Sequence, residues 1–251
     1  MVAAAVADLA PLQWLLLIIA AFLAGLSKTA LNGIGPFTAA VAALVLPVAQ
    51  STGFVLLLLL AGDLVAITVY RAHADWRVIR KLAPAIVVGI LLGVALMSNI
   101  DAQLLRRVLG TVLLLLVVLQ FIQNRKPALF EDVELPRWIT NAAGTTAGFT
   151  SMLANAGGPV MNLYLLNVKS AVLGFLGTTA WVFFAINIMK LPFSIGLGLL
   201  NGDMLLTALV CLPALYLGAW MGLRIARRIS LETFKRLILL FTAVAAVNLI
   251  W

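Results

Sequence analysis

Long apolar runs separated by short basic loops decide what this chain can fold into. Eight stretches approach the length of a membrane crossing: residues 12–26, 52–70, 82–98 and 108–123, then 138–149, 173–189, 204–223 and 237–251. A spanning helix needs about 20 mostly apolar residues. Two further pieces, 37–46 and 160–166, are too short to cross; ten residues make about 15 Å of helix, half the hydrocarbon core. Hydrophobic residues are 64% of the 251 and charged residues 10%, against roughly 45–50% and about 25% in a soluble domain. So much apolar surface cannot all be hidden from water inside one folded sphere, and the remaining solvent is lipid. A soluble enzyme, a disordered chain and a coiled coil are excluded. The 19 Gly and 9 Pro fit the same class, because transmembrane helices tolerate these residues better than soluble ones do.

The net charge of +8 reads as cytoplasmic loop charge under the positive-inside rule, not as a nucleic-acid surface. Arg71, Arg77, Arg80 and Lys81 fill one loop, and Arg125, Lys126 and Arg137 the mid-chain linker 124–137. Arg224, Arg227, Arg228, Lys235 and Arg236 precede the last run, whereas 189–203 holds Lys190 alone. The heavily basic loops are therefore expected in the cytoplasm and both termini outside; Arg106 and Arg107 run against that scheme. The N-terminal residues lack the positive n-region of a signal peptide. Cys211 is single and inside an apolar run, so it reads as a small core residue, and His73 as a solvated loop residue. No metal ligand set or cofactor motif is present.

The chain also repeats itself. Ala24-Gly25-Leu26-Ser27 and Asn32-Gly33-Ile34-Gly35-Pro36 recur at an offset of 123 residues as Ala147-Gly148-Phe149-Thr150 and Asn155-Ala156-Gly157-Gly158-Pro159. Later landmarks recur at an offset of 129: Pro84 with Pro213, Gly89 with Gly218 and Gly93 with Gly222. Equivalent loops differ in basic content, which predicts copies inserted from opposite faces of the membrane, the architecture of many secondary transporters. The expected fold is an all-α polytopic membrane protein with two inverted-topology repeats. Each has a broken or re-entrant first hairpin followed by three spanning helices. Residues 1–123 form the first repeat, 124–137 a cytoplasmic linker, and 138–251 the second.

Chemistry is expected at the breaks. Gly33, Gly35 and Pro36 interrupt the first hairpin, and Gly157, Gly158 and Pro159 the second; Pro suits the first turn of a new helix. Irregular backbone at membrane depth survives only when buried in protein or lining a cavity. Each following half-helix presents free N–H groups and partial positive charge, which attract anions. Ser27, Thr29, Asn32, Thr150, Ser151 and Asn155 supply donors, and Lys28 a full charge. Close packing of small residues is the competing explanation for the glycines, and snorkelling to an interface for Lys28. Asp63 is an intramembrane carboxylate, a candidate for proton coupling, though Arg71 or water lies within a turn or two. Asp75 and Asp203 read as helix caps, and Asn187 and Lys190 near Pro192 as another helix end.

With Leu212-Pro213, Leu217-Gly218, Gly222, Arg224 and Ala226-Arg227-Arg228, these two broken motifs resemble the TauE/SafE family of sulfite exporters and sulfonate permeases over nearly the whole chain. The resemblance implies a transporter of sulfite, organosulfonates or related sulfur-containing anions in the inner membrane. It requires a lipid bilayer and no nucleic acid, and it is compatible with a homo-oligomer. An anion channel and a non-transporting assembly or anchoring subunit stay open as alternatives. An intramembrane enzyme lacks the partnered nucleophile, base or metal ligands it would need.

Overall fold

The computed structural model describes residues 9–30, 35–97, 136–167 and 172–226, with isolated positions at 111, 118, 228, 233, 236 and 240. The expected spans 108–123 and 237–251, and Asn32 and Gly33, lie outside these residues. The described segments are helical throughout: α1 (Pro11–Thr29), α2 (Gly35–Ala43), α3 (Val48–Tyr70), α4 (Trp76–Met97), α5 (Arg137–Ala154), α6 (Gly157–Asn167), α7 (Val172–Gly196) and α8 (Gly202–Ala226). A 3₁₀ turn, Arg71–His73, links α3 to α4. Five helices are long and apolar enough to cross a membrane: α1, α3, α4, α7 and α8. The short pieces α2 and α6 have 9 and 11 residues, half a crossing as their length predicts. Leu12, Leu15 and Ile18 of α1, Val88 and Leu91 of α4, and Leu206, Val210 and Leu217 of α8 point outward, as a lipid-facing surface requires.

Several boundaries differ from the sequence expectation. α4 begins at Trp76 and not at 82, so Arg77, Arg80 and Lys81 are first-turn and second-turn helix residues and not loop charge. The fifth run does not stop at residue 149, because α5 continues to Ala154. The sixth does not end at 189: α7 runs through Pro192 to Gly196, so Lys190 is a helix-interior residue and not loop charge, and Asn187 and Lys190 do not mark a helix end. Side chains and neighbouring helices re-satisfy backbone groups that an intrahelical proline frees in a membrane protein. At the caps, Asp75 behaves as expected, its Oδ1 accepting from the Arg77 and Val78 amides. At the start of α8, however, the cap is Asn201, whose Oδ1 accepts from the Met204 amide at 2.9 Å; Asp203 already lies inside the helix.

Among the described helices, early and late parts of the chain interlock in two pairs. α1 packs along α8, and α5 along α4. Both seams are set by glycine. A Cβ on Gly25 would overlap the Leu215 carbonyl, and one on Gly148 the Ile86 carbonyl. From the other side, a Cβ on Gly218 would overlap the carbonyl of Phe22, and one on Gly89 that of Thr145. These contacts match under the two sequence offsets, 123 on the first helices and 129 on the last. Small residues let membrane helices approach backbone to backbone, where dispersion replaces the hydrophobic drive that lipid removes.

Two apolar cores result. One gathers Leu17, Ala21, Phe54, Leu58, Cys211 and Leu215 from α1, α3 and α8, with Ala42 of α2. The other gathers residues such as Leu82, Ile90, Met152, Met161 and Phe175 from α4, α5, α6 and α7, with Ala66, Tyr70 and Ala226 reaching in. Helices α3 and α7 cross between them in opposite directions. Gly53 near the start of α3 abuts Leu199 just past the end of α7, and Gly177 near the start of α7 abuts Tyr70 and Ala74 at the end of α3. The Asp75 amide donates to Thr178 Oγ1 at 2.9 Å across the same junction.

Candidate functional site

The described flanks of the two breaks are buried, and they touch. α1 ends at Thr29, and burial deepens along it, with Ala24, Gly25, Ser27, Lys28 and Thr29 all buried. The second break is a left-handed cap. Asn155 sits at φ 54°, ψ 28°, while its amide and that of Ala156 bond back to Ser151 and Thr150 carbonyls. Asparagine is among the few side chains that adopt this conformation readily. A Cβ on Gly35, the first residue of α2, would lie 2.9 Å from the Asn155 carbonyl oxygen. Glycine is needed there for one backbone to pass the other.

A small polar pocket lies where the two cores meet. Ser27, Lys28, Gly35 and Leu59 line one wall, and Ser151, Asn155, Gly158, Phe183 and Asn187 the other. Lys28 and Ser151, and Gly35 and Gly158, are pairs at the 123-residue offset. Gly35 and Gly158, in the first described turns of α2 and α6, both line the pocket.

Charge is concentrated at this pocket. Lys28 Nζ lies 2.7 Å from Asp63 Oδ1, with both side chains buried, and 4.7 Å from the Phe183 ring centroid. The second carboxylate oxygen, Asp63 Oδ2, accepts from Asn187 Nδ2 at 2.7 Å. Lys190, also buried, donates to Asn155 Oδ1 at 2.6 Å and Ser151 Oγ at 3.4 Å. Asn155 in turn donates from Nδ2 to the Thr52 carbonyl at 3.3 Å, across the boundary between the cores. A charge in a low-dielectric interior is tolerated when paired or well hydrogen-bonded: Lys28 and Asp63 pair with each other, and Lys190 is hydrogen-bonded to neutral groups.

The sequence-derived candidates separate accordingly. Ser27, Lys28, Gly35, Ser151, Asn155 and Gly158 come together at the pocket. Lys28 does not snorkel, and Asp63 reaches neither Arg71 nor water: it is fully buried against Lys28 and Asn187. The Thr29 hydroxyl lies away from the pocket, 3.0 Å from the Gly25 carbonyl and 2.9 Å from that of Ala219, where it ties α1 to α8. The Thr150 hydroxyl bonds the Thr146 carbonyl at 2.8 Å within its own helix. Gly157 packs against Ala147 and Ser151 of α5, and Pro159 and Pro36 occupy first-turn positions of α6 and α2. Asn187, which lines the pocket, and Lys190, which bonds its lining residues Ser151 and Asn155, were not among the sequence-derived site residues. The signal was available, since an amide and a lysine inside or beside an apolar run demand partners. Among the described residues no group of His, Cys, Asp and Glu could hold a metal ion.

Searches among curated proteins and among solved structures give no significant match. The family model "Sulfite exporter TauE/SafE" matches residues 17–249, nearly the whole chain. That family is one of membrane transporters of the anion and sulfite exporter type, and the multi-pass helical architecture agrees with it. The chain belongs to the TauE/SafE sulfite exporter family.

Proposed function

We propose that this chain is a secondary carrier of small sulfur-containing anions, sulfite or an organosulfonate, working by alternating access in the inner membrane. Its halves, 1–123 and 138–251, act as inverted copies joined by the cytoplasmic linker 124–137, with both termini outside. The anion binds between the cores, at Ser27, Lys28, Gly35, Ser151, Asn155 and Gly158. Asn32, Gly33 and Pro36 complete the first break, and Thr29, Thr150, Gly157 and Pro159 shape the backbone around it.

One observation carries this reading: a buried pocket lined from both cores, where two half-helix N-termini meet two lysines and one carboxylate. A compact head of three oxygens suits amides, hydroxyls and ammonium groups better than an apolar slot does. The antiparallel crossing of α3 and α7, and the matched glycine seams, support the inverted arrangement. The Asp63 carboxylate is the counter-ion of Lys28. A pH gradient that drives anion flux in the wild type and not in Asp63→Asn would give it the coupling role as well.

The test is uptake of labelled sulfite and of a labelled alkanesulfonate into proteoliposomes. Wild type accumulates at least one of them, whereas Asn32→Ala and Asn155→Ala abolish the flux without unfolding the protein. Unchanged flux in both variants removes the site assignment. Counterflow of labelled substrate distinguishes a carrier from a channel, and a lack of ligand-dependent thermal stabilisation would favour an assembly subunit.

A further inference from the structure

The charges at the pocket limit what it can hold, given the anion-site reading above. Among the described residues three formal charges meet there, on Lys28, Lys190 and Asp63. They are not equivalent. The Lys28 ammonium is already matched by Asp63 Oδ1 at 2.7 Å, and Asn187 fixes the other carboxylate oxygen. Lys190 reaches only neutral partners, the Asn155 amide oxygen and the Ser151 hydroxyl, both of which line the pocket. With Lys190 protonated, the described residues of the cluster therefore carry one uncompensated positive charge. Lys28 and Lys190 are both buried, beside Leu59 and Phe183, where unmatched charge is penalised far more than it is in solution. A guest with one negative charge neutralises the cluster, whereas a guest with two leaves an excess.

We infer that this pocket selects singly charged oxyanion heads over doubly charged ones, and that Asp63 sets the limit by claiming one of the two lysine charges. Asp63 then acts through Lys28, as a positioning and charge-setting residue that need not touch the anion. The asymmetry between the halves fits this role. Lys28 corresponds to Ser151 by the repeat offset, so the ion pair stands on one side of the pocket and has no counterpart on the other.

Methanesulfonate and sulfate probe the rule, because both present oxygens around one sulfur and differ in charge. Ligand-induced shifts in unfolding temperature are titrated with each salt, at about pH 6 and fixed ionic strength, on the full chain in detergent. Wild type should bind methanesulfonate at least about ten-fold more tightly than sulfate. Asp63→Asn, with two uncompensated charges, should invert that preference. The double variant Lys28→Met with Asp63→Asn returns the net charge to one and should restore it. If Asp63→Asn alone does not fold, the double variant and Lys190→Met decide. The former should keep the wild-type ratio, and the latter, with no net charge, should lose both anions. A ratio that stays the same in every variant overturns the charge rule while leaving an anion site in place. Failure of wild type to bind either salt instead removes the anion-site reading itself.

Discussion

Asp63 and Asn187 meet at 2.7 Å, and they stand 124 residues apart, the same spacing as Gly53 and Gly177 near the starts of their two helices. A carboxylate thus faces the amide that holds its place in the other half of the chain. The contact lies where α3 and α7 cross, so the ion pair with Lys28 is anchored at the join between the two cores.

Breaking that pair from one side should be costly. Lys28→Met leaves Asp63 buried without its cation, and a loss of about 3–5 kcal/mol is expected. Replacing both partners, Lys28→Met with Asp63→Leu, should be much milder, because no isolated charge remains. Thermal unfolding of the two single variants and the double, arranged as a mutant cycle, reads the difference. A double variant no more stable than the worse single would rule out charge burial as the cause.

Asn155 has two separable roles, and two substitutions divide them. Asn155→Gly keeps the left-handed backbone and removes the anchor for Lys190. It should lose most transport at little cost to the fold. Asn155→Ala adds backbone strain of about 1–2 kcal/mol and should lower the unfolding temperature as well. Equal unfolding temperatures for the two variants would mean that the φ of 54° carries no strain for alanine.

The hydroxyls that bond backbone should matter for stability and not for the anion. Thr29→Val removes the link from α1 to the Ala219 carbonyl, with an expected loss of about 1 kcal/mol. Its ligand-induced stabilisation should match wild type. Ser151→Ala should behave in the opposite way, weakening ligand binding more than it weakens the fold. Titration of both variants with one sulfonate compares them directly.

The glycine seams predict a sharp contrast among Gly→Ala changes. At Gly25, Gly148, Gly89 or Gly218 the new methyl would meet a neighbouring carbonyl, and the helices must separate. The expected loss is about 1–3 kcal/mol at each. At Gly196 nothing lies within 4 Å, so alanine should be neutral or stabilising by up to about 1 kcal/mol. Unfolding midpoints of the five variants check the order.

Much of this architecture can be read from residue order, because lipid enforces it. Apolar runs near 20 residues have few alternatives to a crossing helix, and the repeated Gly and Pro landmarks fall at the seams and breaks. What could not be read was partnership. Thr29 and Ser27 are two positions apart on one helix, yet the first faces α8 and the second the pocket, a distinction of helical phase set by packing. Lys190 looked like loop charge because the apolar run before it ends at Met189, while the helix continues through Pro192 with support from its neighbours. Asn201 caps α8 in place of Asp203 because the helix begins two residues earlier than the acid suggests. Local sequence marks such positions as polar and buried; only the assembled helices say which polar group answers which.

The pairing of α4 with α5 and of α8 with α1 has a consequence for motion. Because α4 packs tightly on α5 and α8 on α1, the proposed alternating access is expected to divide the molecule along a line that cuts each proposed repeat in two. Among the described helices the polypeptide crosses that line at two straps, residues 71–75 and 197–201. The second contains Gly198 at φ 69° with no atom near its α-carbon's missing substituent. Under the proposed mechanism the swivel is expected in these two short connectors, and the two sequence copies are expected to travel as mixed halves.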